Sequence, residues 1–206
     1  MKVLVVTDPL CSWCWGMSPA VEAVGARLAG EVELDIVLGG VNTSSTLPVG
    51  QYGRQLLRHI WREVEATTGQ RFCYAVPEGF VYNSTVPCLA VAAARRALGR
   101  PPFGYLHRLQ QLFFEQGRNT NDRDLLCRAA DELGIPAGAV AEGLDDPEVA
   151  AALRADVADA RAHGTSGLPN VVVERDGARS LLLGGYADAE TLESMIRTRL
   201  AAADQL

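Results

Sequence analysis

A Cys-x-x-Cys motif, formed by Cys11 and Cys14, lies where a short apolar run meets the start of a helical pattern. The run at residues 2–7 is rich in β-branched residues and predicts a buried strand. The predicted helix ends at Gly30, and its apolar face consists of Met17, Val21, Val24 and Leu28. A second apolar run at residues 31–38 predicts another strand. The pattern therefore indicates a β-α-β unit with parallel strands and with the cysteine pair at its first junction.

The middle of the chain, residues 51–163, shows only helical patterns. We predict five helices there, of which the fourth has Asn121 as its N-cap. The fifth has Asp146 as its N-cap and Pro147 in its first helical position. Between these two helices, residues 136–143 are predicted to form a short turn. A long helical segment thus separates the β-α-β unit from the end of the chain.

Strand patterns return near the C-terminus. Residues 170–174 and 180–183 are apolar runs, and the turn between them contains Asp176-Gly177, a dipeptide typical of hairpins. A final helix is predicted to begin after Asp188, which serves as its N-cap. The order β-α-β, helices, β-β-α predicts an α/β domain that is interrupted by a helical subdomain.

The charge balance of the chain argues against nucleic-acid and membrane partners. There are 19 Lys and Arg residues against 25 Asp and Glu residues, a net charge of -6 at pH 7, so no basic excess is available to neutralise phosphates. The longest apolar run, residues 86–94, is shorter than the roughly 20 residues that a membrane-spanning helix needs. The first apolar run is too short for a secretory signal and is followed at once by Asp8. We therefore expect a cytoplasmic protein that binds neither nucleic acid nor membrane.

The position of the cysteine pair indicates redox chemistry. In a reducing compartment, five cysteines are not expected to form a disulfide framework. The N-terminus of a helix carries a partial positive charge, which stabilises a thiolate, and the thiolate is the species that attacks disulfides. We predict that Cys11, the outer residue, is the nucleophile. Cys14 follows one helical turn later and is predicted to resolve the mixed disulfide.

A zinc site is the main chemical alternative for this pair. Zinc sites usually contain a second closely spaced pair of ligands. The remaining cysteines and the histidines are scattered along the chain instead, at Cys73, Cys88, Cys127, His59, His107 and His163. The sequence therefore favours redox chemistry over metal binding, and we predict no metal and no cofactor.

The order of elements resembles the thioredoxin superfamily, and the helical insertion before Leu168-Pro169 resembles its DsbA-like branch. The string Asp-Pro-Leu-Cys-Ser-Trp-Cys-Trp-Gly at residues 8–16 is similar to that of cytoplasmic DsbA-family and FrnE-like proteins. The resemblance covers nearly the whole chain. It implies an α/β thioredoxin-like domain of residues 1–45 and 164–206, with residues 46–163 as an all-helical insertion. It also implies thiol–disulfide oxidoreductase activity of the protein disulfide reductase or isomerase type.

The resemblance also implies a role for the residues before the third strand. In this family, the proline there follows a cis peptide bond and lies against the cysteine pair, and Pro169 occupies that position. The residues alone would instead favour an ordinary trans proline at a strand start, because cis occurs in only about 5–6% of X-Pro bonds. The backbone of Leu168 is then expected to pair with an extended substrate. Trp13 is a candidate for lining the substrate site, with packing beside the site as an equal alternative. The sequence departs from the periplasmic members at Ser12-Trp13, where they carry Pro-His.

Two other classes of function stay open at this point. Glutathione-dependent enzymes of the kappa transferase and 2-hydroxychromene-2-carboxylate isomerase type share a similar inserted fold, but they carry a serine in place of the nucleophilic cysteine. The presence of both Cys11 and Cys14 favours the oxidoreductase. A third class is a non-catalytic module in which the cysteine pair switches a binding surface. The predicted partners are protein or low-molecular-weight thiols and disulfides, glutathione among them.

Overall fold

Four strands and eight helices make up residues 1–201, the part of the chain that the computed structural model describes. The first β-α-β unit consists of β1 (Lys2–Thr7), α1 (Ser12–Arg27) and β2 (Glu33–Leu38). Six helices follow: α2 (Gln51–Thr68), α3 (Thr85–Leu98), α4 (Phe103–Phe114), α5 (Arg123–Asp131), α6 (Ala137–Gly143) and α7 (Pro147–His163). The chain then forms β3 (Asn170–Arg175), β4 (Ala178–Gly184) and α8 (Ala189–Ala201).

The strands form one sheet in the order β2-β1-β3-β4. β1 is parallel to β2, as the β-α-β pattern predicts, and β3 runs antiparallel to both β1 and β4. Val5 lies near the centre of the sheet, paired with Ile36 on one side and with Val171 on the other. The predicted thioredoxin-like α/β fold with a helical insertion is therefore confirmed.

Helices cover both faces of this sheet. Successive side chains of a strand point to opposite faces. On one face, α1 and α8 bury Val3 in a cluster with Met17, Val24, Leu28, Leu192 and Ile196. On the other face, Ala160 of α7 packs in a cluster with Leu4, Val6, Val37 and Val172. Because β1 is enclosed from both sides, the loop that follows it has a fixed starting point, and this loop carries the cysteine pair.

Buried aromatic residues join the inserted helices to α1. The cluster contains Trp61 of α2, Phe113 and Phe114 of α4, and Phe72 and Phe80 of the connecting segments. Trp15 of α1 enters it and stacks on Phe114, with 6.3 Å between the ring centroids. Burying a large aromatic side chain stabilises a fold by several kcal/mol, about 3–5 by the usual cost of truncation to alanine. The insertion therefore holds the first turns of α1 through this cluster.

Two local predictions in the insertion are wrong. The N-cap of α5 is Asp122, whose side chain accepts hydrogen bonds from the backbone N–H groups of Asp124 and Leu125. The neighbouring Asn121 donates its side-chain amide to Val81 O instead. Most of the segment predicted as a turn, residues 137–143, forms helix α6, with Pro136 as its N-cap. This helix is seven residues long, which is too short for a clear helical period in the sequence.

The structure does not test some of the expectations about the chain as a whole. The boundaries of the predicted domain and insertion, between residues 45 and 46 and between 163 and 164, stay predictions. The last five residues of the predicted domain, 202–206, lie outside the described residues. Within residues 1–201, no helix has both the length and the hydropathy that crossing a bilayer requires.

Helix α6 approaches α3 closely at a glycine, and this contact gives a prediction. A Cβ at Gly143 would overlap Ala93 Cβ, whereas one at Gly138 in the same helix would meet nothing within 4 Å. Gly143→Ala is therefore expected to lower the free energy of unfolding by about 1–3 kcal/mol through overpacking. Gly138→Ala, the matched control, should raise it by about 0.5–1 kcal/mol, because alanine is the better helix former. Urea denaturation of the two variants checks this contrast, and equal effects would contradict it.

Candidate active site

The junction between β1 and α1 places Cys11 at the N-cap of the helix. Cys11 has extended backbone angles, φ -83° and ψ 115°, and its Sγ accepts a hydrogen bond from Cys14 N–H at 3.3 Å. Its own N–H donates to Asp8 O at 3.2 Å, which closes the tight loop after the strand. The first N–H groups of a helix have no partner within the helix, and here one of them points at sulfur. The N-terminal end of the helix dipole is therefore directed at Cys11 Sγ.

Cys14 is the more deeply enclosed thiol of the pair. Both cysteines are free thiols, with 6% of Cys11 and 3% of Cys14 exposed, so the expected difference between an outer and an inner residue is small. Burial raises the pKa of Cys14 well above its ordinary value, and the hydrogen bond and charge of Cys11 raise it further. The Thr7 hydroxyl lowers the pKa of Cys14, but its effect is smaller than that of burial. Cys14 is therefore a protonated thiol at neutral pH.

The segment before β3 brings Leu168 and Pro169 to the cysteine pair. Leu168 O lies 3.8 Å from Cys11 Sγ and accepts a bond from its thiol. The Leu168–Pro169 peptide bond is cis, and Pro169 lines the same cavity as Cys14. Gly39, just after β2, allows this approach, because a Cβ there would lie 2.5 Å from Leu168 Cδ1. The structure thus brings four of the five predicted site residues together at the end of β1.

Trp13, the fifth predicted site residue, flanks the pair. Its half-buried ring faces Tyr186, with 6.1 Å between centroids. Trp15 differs from it, because Trp15 is buried and donates its indole N–H to Arg71 O at 3.2 Å. Trp15 therefore belongs to the aromatic core, whereas Trp13 forms part of the surface beside the cysteines.

A buried carboxyl group lies directly behind the motif. Asp8 is fully enclosed and accepts hydrogen bonds from Leu10 N–H and Val41 N–H, each at 2.8 Å. Cys88 Sγ donates to the same carboxyl at 3.5 Å. Burial raises the pKa of Asp8 above its ordinary value, although these bonds to the carboxylate counteract the shift. The charge of Asp8 in turn contributes to the raised pKa of Cys14. The sequence prediction missed this residue, although an acid between a buried strand and a cysteine pair is a visible signal.

Two residues of the insertion also reach the loop. Tyr82 donates its hydroxyl to Leu10 O at 2.5 Å, and Gln110 donates its side-chain amide to Asp8 O at 3.3 Å. The first bond joins residues that are 72 positions apart in the sequence, and the second joins residues that are 102 positions apart. Neither residue was among the predicted site residues. The cysteine loop is therefore held by both the sheet and the insertion.

The remaining cysteines lie apart from the pair. Cys73 is exposed, Cys88 is buried on α3, and Cys127 is partly buried on α5. Among residues 1–201, no group of three or more His, Cys, Asp or Glu side chains is arranged to hold a metal ion.

Comparison with known proteins gives a family match over nearly the whole chain. The model of the DSBA-like thioredoxin domain matches residues 2–197. A structure from Nitrosomonas europaea, provisionally assigned as a protein disulfide isomerase, is 29% identical with a TM-score of 0.89 over 98% of each chain. The cytosolic disulfide reductase DsbM from Pseudomonas aeruginosa is 26% identical with a TM-score of 0.80, over 98% of this chain and all of that chain. DsbM has also been solved with GSH, and that structure gives a TM-score of 0.78.

More distant matches share the fold or part of the chain. The ClpXP adapter protein SpxH of Halalkalibacterium halodurans is 24% identical over 85% of this chain. The chain spans only 59% of the length of that curated relative. A 2-hydroxychromene-2-carboxylate isomerase has a TM-score of 0.69 at 13% identity, a likeness that shows the fold alone.

Proposed function

Because this chain belongs to the family of DSBA-like thioredoxin domains, we propose that it is a thiol–disulfide oxidoreductase whose redox pair is Cys11 and Cys14. The observation that carries the proposal is the hydrogen bond from Cys14 N–H to Cys11 Sγ at the start of α1. This bond puts the two thiols on one helical turn and directs a backbone dipole at the attacking sulfur.

The reaction consists of two exchange steps. In the first, the Cys11 thiolate attacks one sulfur of a disulfide, an S–S bond of the substrate breaks, and a mixed disulfide forms as one substrate thiolate leaves. In the second, Cys14 loses its proton and attacks Cys11 Sγ. The second substrate thiolate then leaves and takes up a proton. The substrate gains two electrons, and the enzyme ends with a Cys11–Cys14 disulfide, which an external thiol must reduce.

The Leu168 carbonyl would bind the backbone of an extended substrate during the first step. In the free dithiol, Leu168 O accepts the Cys11 thiol. Once Cys11 is part of a mixed disulfide it has no S–H, so this carbonyl becomes free to accept an N–H group of the substrate backbone. Pro169 borders the pair on the same side, and Trp13 with Tyr186 supplies an aromatic surface next to it. We assign substrate binding to Trp13, Leu168 and Pro169 on these grounds.

The proposed partners are protein disulfides and low-molecular-weight thiols. The neighbour DsbM is described as a cytosolic disulfide reductase and was solved with GSH. By analogy, we propose that this chain acts as a reductase in the cytoplasm and that glutathione regenerates its dithiol form. Disulfide isomerisation uses the same first step, in which the mixed disulfide is attacked by another substrate thiol instead of by Cys14.

A redox titration in glutathione buffers, read by thiol trapping, tests the proposal. The expected result is a reversible two-electron transition of the native chain that is absent from Cys11→Ser. The midpoint then separates a reductase from an oxidant, because about 30 mV corresponds to a tenfold change in the equilibrium constant. If no Cys11–Cys14 disulfide forms at any buffer ratio, the oxidoreductase proposal fails and the glutathione-dependent isomerase becomes the better explanation. A transition without turnover of a disulfide substrate such as insulin would favour the redox-responsive binding module.

Tyr82 offers a test of how the insertion supports the site. Tyr82→Phe removes the bond to Leu10 O, and Tyr105→Phe removes a similar buried bond to Leu126 O, 2.9 Å long and outside the site. Each variant is expected to lose about 0.5–1.5 kcal/mol of unfolding free energy. Only Tyr82→Phe should also slow disulfide exchange, because only Tyr82 holds the loop that carries Cys11. Insulin-reduction rates of both variants check this, and equal rates would remove Tyr82 from the site.

A further inference from the structure

A buried polar side chain, that of Asn170, lies next to the segment that carries Leu168. Asn170 is the first residue of β3, and 0% of it is exposed. Its backbone is fixed within the sheet, because it pairs with Val6 of β1 on one side and with Gly184 of β4 on the other. A buried amide needs hydrogen-bond partners, so the partners of this amide identify what it holds.

The Asn170 amide bonds to the short segment between α7 and β3. Its Nδ2 donates to Gly167 O at 2.8 Å. Its Oδ1 accepts the Thr165 N–H at 3.2 Å and the Thr165 hydroxyl at 2.9 Å. The Thr165 hydroxyl in turn accepts the Gly167 N–H at 3.3 Å. The side chains of Asn170 and Thr165 thus hold both ends of the segment 165–167, whose residues are exposed.

The path of the backbone towards Leu168 depends on these side-chain bonds. Among residues 1–201, residues 165–168 take part in no backbone–backbone hydrogen bond. The side chain of Leu168 packs against the buried cluster beside α7, which fixes where this residue lies. The direction of its carbonyl depends on the neighbouring peptide planes. Asn170 holds the plane before Leu168 through the bond to Gly167 O, and its own backbone is fixed in the sheet on the other side.

Two glycines leave room for the side chains of Asn170 and Thr165. A Cβ at Gly164 would lie 2.8 Å from Asn170 Nδ2. A Cβ at Gly184 would lie 2.6 Å from Thr165 Cγ2. Both side chains are therefore closely packed as well as hydrogen-bonded, which limits the arrangements that are open to the segment.

The fixed segment leads directly to the cysteine pair. Leu168 follows it, and Leu168 O lies 3.8 Å from Cys11 Sγ. An acceptor that is already held in place when a substrate arrives costs less conformational entropy on binding than one that must first be ordered. Only a disulfide whose own backbone carries an N–H group near the attacked sulfur can gain from this.

We infer that Asn170 is a positioning residue, which directs the Leu168 carbonyl at the substrate backbone and makes the site selective for peptide disulfides over disulfides without a backbone amide. The inference rests on the oxidoreductase function proposed above. Asn170 takes no part in bond making, and the attacking Cys11 thiolate has no hydrogen to donate to Leu168 O. The attack on a disulfide that lacks an amide therefore does not depend on Asn170.

Single-turnover oxidation of the reduced chain by two disulfides tests the inference. The disulfide of N-acetylcysteine N-methylamide carries backbone N–H groups, and bis(2-hydroxyethyl) disulfide carries none. In Asn170→Ala, the second-order rate constant for the first disulfide should fall at least about fivefold, the worth of one hydrogen bond, and that for the second should change by less than about twofold. An equal fall for both disulfides, or no fall for either, would overturn the inference. A native chain that neither disulfide oxidises would refute the proposed function and the inference together.

Two further variants separate positioning from a loss of stability. Thr165→Val keeps nearly the same shape and removes the hydroxyl, so it should lower the rate with the amide-bearing disulfide by a smaller factor; it also serves if Asn170→Ala does not fold. Val173→Ala removes a buried side chain from the same strand, away from the segment, and should leave both rate constants unchanged. Hydrogen exchange of the Thr165 and Gly167 amides should be faster in the first two variants than in Val173→Ala. A selective loss of rate in Val173→Ala as well would assign the effect to stability and refute the role of Asn170.

Discussion

Cys11→Ser is expected to reduce disulfide turnover to the background rate while leaving the fold intact. Serine cannot form the mixed disulfide, so the first exchange step has no covalent intermediate. The fold should survive because Cys11 is the N-cap of α1, where serine is among the most favourable residues. The hydroxyl of serine can accept the same bond from Cys14 N–H. Insulin reduction and thermal unfolding, measured on the same preparation, separate the loss of chemistry from any loss of structure.

The matched control for this variant is Cys73→Ser. Cys73 is an exposed thiol outside the site. If accessible thiols in general were responsible for turnover, Cys73→Ser would lower the rate and Cys11→Ser would not eliminate it. We expect the opposite, with native rates in Cys73→Ser. Residual turnover in Cys11→Ser would mean that the nucleophile is another residue.

The sequence was sufficient to predict those parts of the site that depend only on the order of neighbouring elements along the chain. A β-branched run, a Cys-x-x-Cys motif and a helical period specify where Cys11 lies, because strand, loop and helix follow within a few residues. Pro169 could be placed only through the family resemblance, since nothing near residue 169 indicates that the chain returns to Cys11. The structure shows that return as the contact between Leu168 O and Cys11 Sγ.

The residues that the sequence could not supply are those that reach the loop from the insertion. Tyr82, in the segment before α3, and Gln110, in α4, each look like an ordinary residue of the insertion. Their role depends on how the insertion packs against residues 8–11. Packing of this kind is decided by the aromatic cluster around Trp61, whose members are spread over the insertion. Periodicity identifies the buried face of each helix but not which helix it meets. For this reason the sequence predicts the fold class and the cysteine pair, but not the environment of the pair.

Cys14→Ser is expected to stop turnover at the mixed disulfide and to accumulate a covalent adduct of Cys11 with the substrate. The first step needs only Cys11, whereas the second needs a thiol at position 14. Non-reducing electrophoresis and intact-mass measurement should show one adduct per chain, which dithiothreitol releases. The double variant Cys11→Ser with Cys14→Ser should form none. Loss of turnover in Cys14→Ser without an adduct would contradict the assigned order of the two cysteines.

The pH dependence of the second step in the native chain provides an independent check of the same assignment. Burial is the largest cause of the raised pKa of Cys14, and it persists after Cys11 has entered the mixed disulfide, when the charge of Cys11 is gone. Below that pKa, the thiolate fraction of Cys14 rises about tenfold for each pH unit. Release of the second substrate thiol should therefore accelerate as the pH is raised through the neutral range, as stopped-flow measurement on a preformed mixed disulfide would show. A release rate that stays constant over this range would mean that Cys14 is already ionised, or that a group other than Cys14 resolves the adduct.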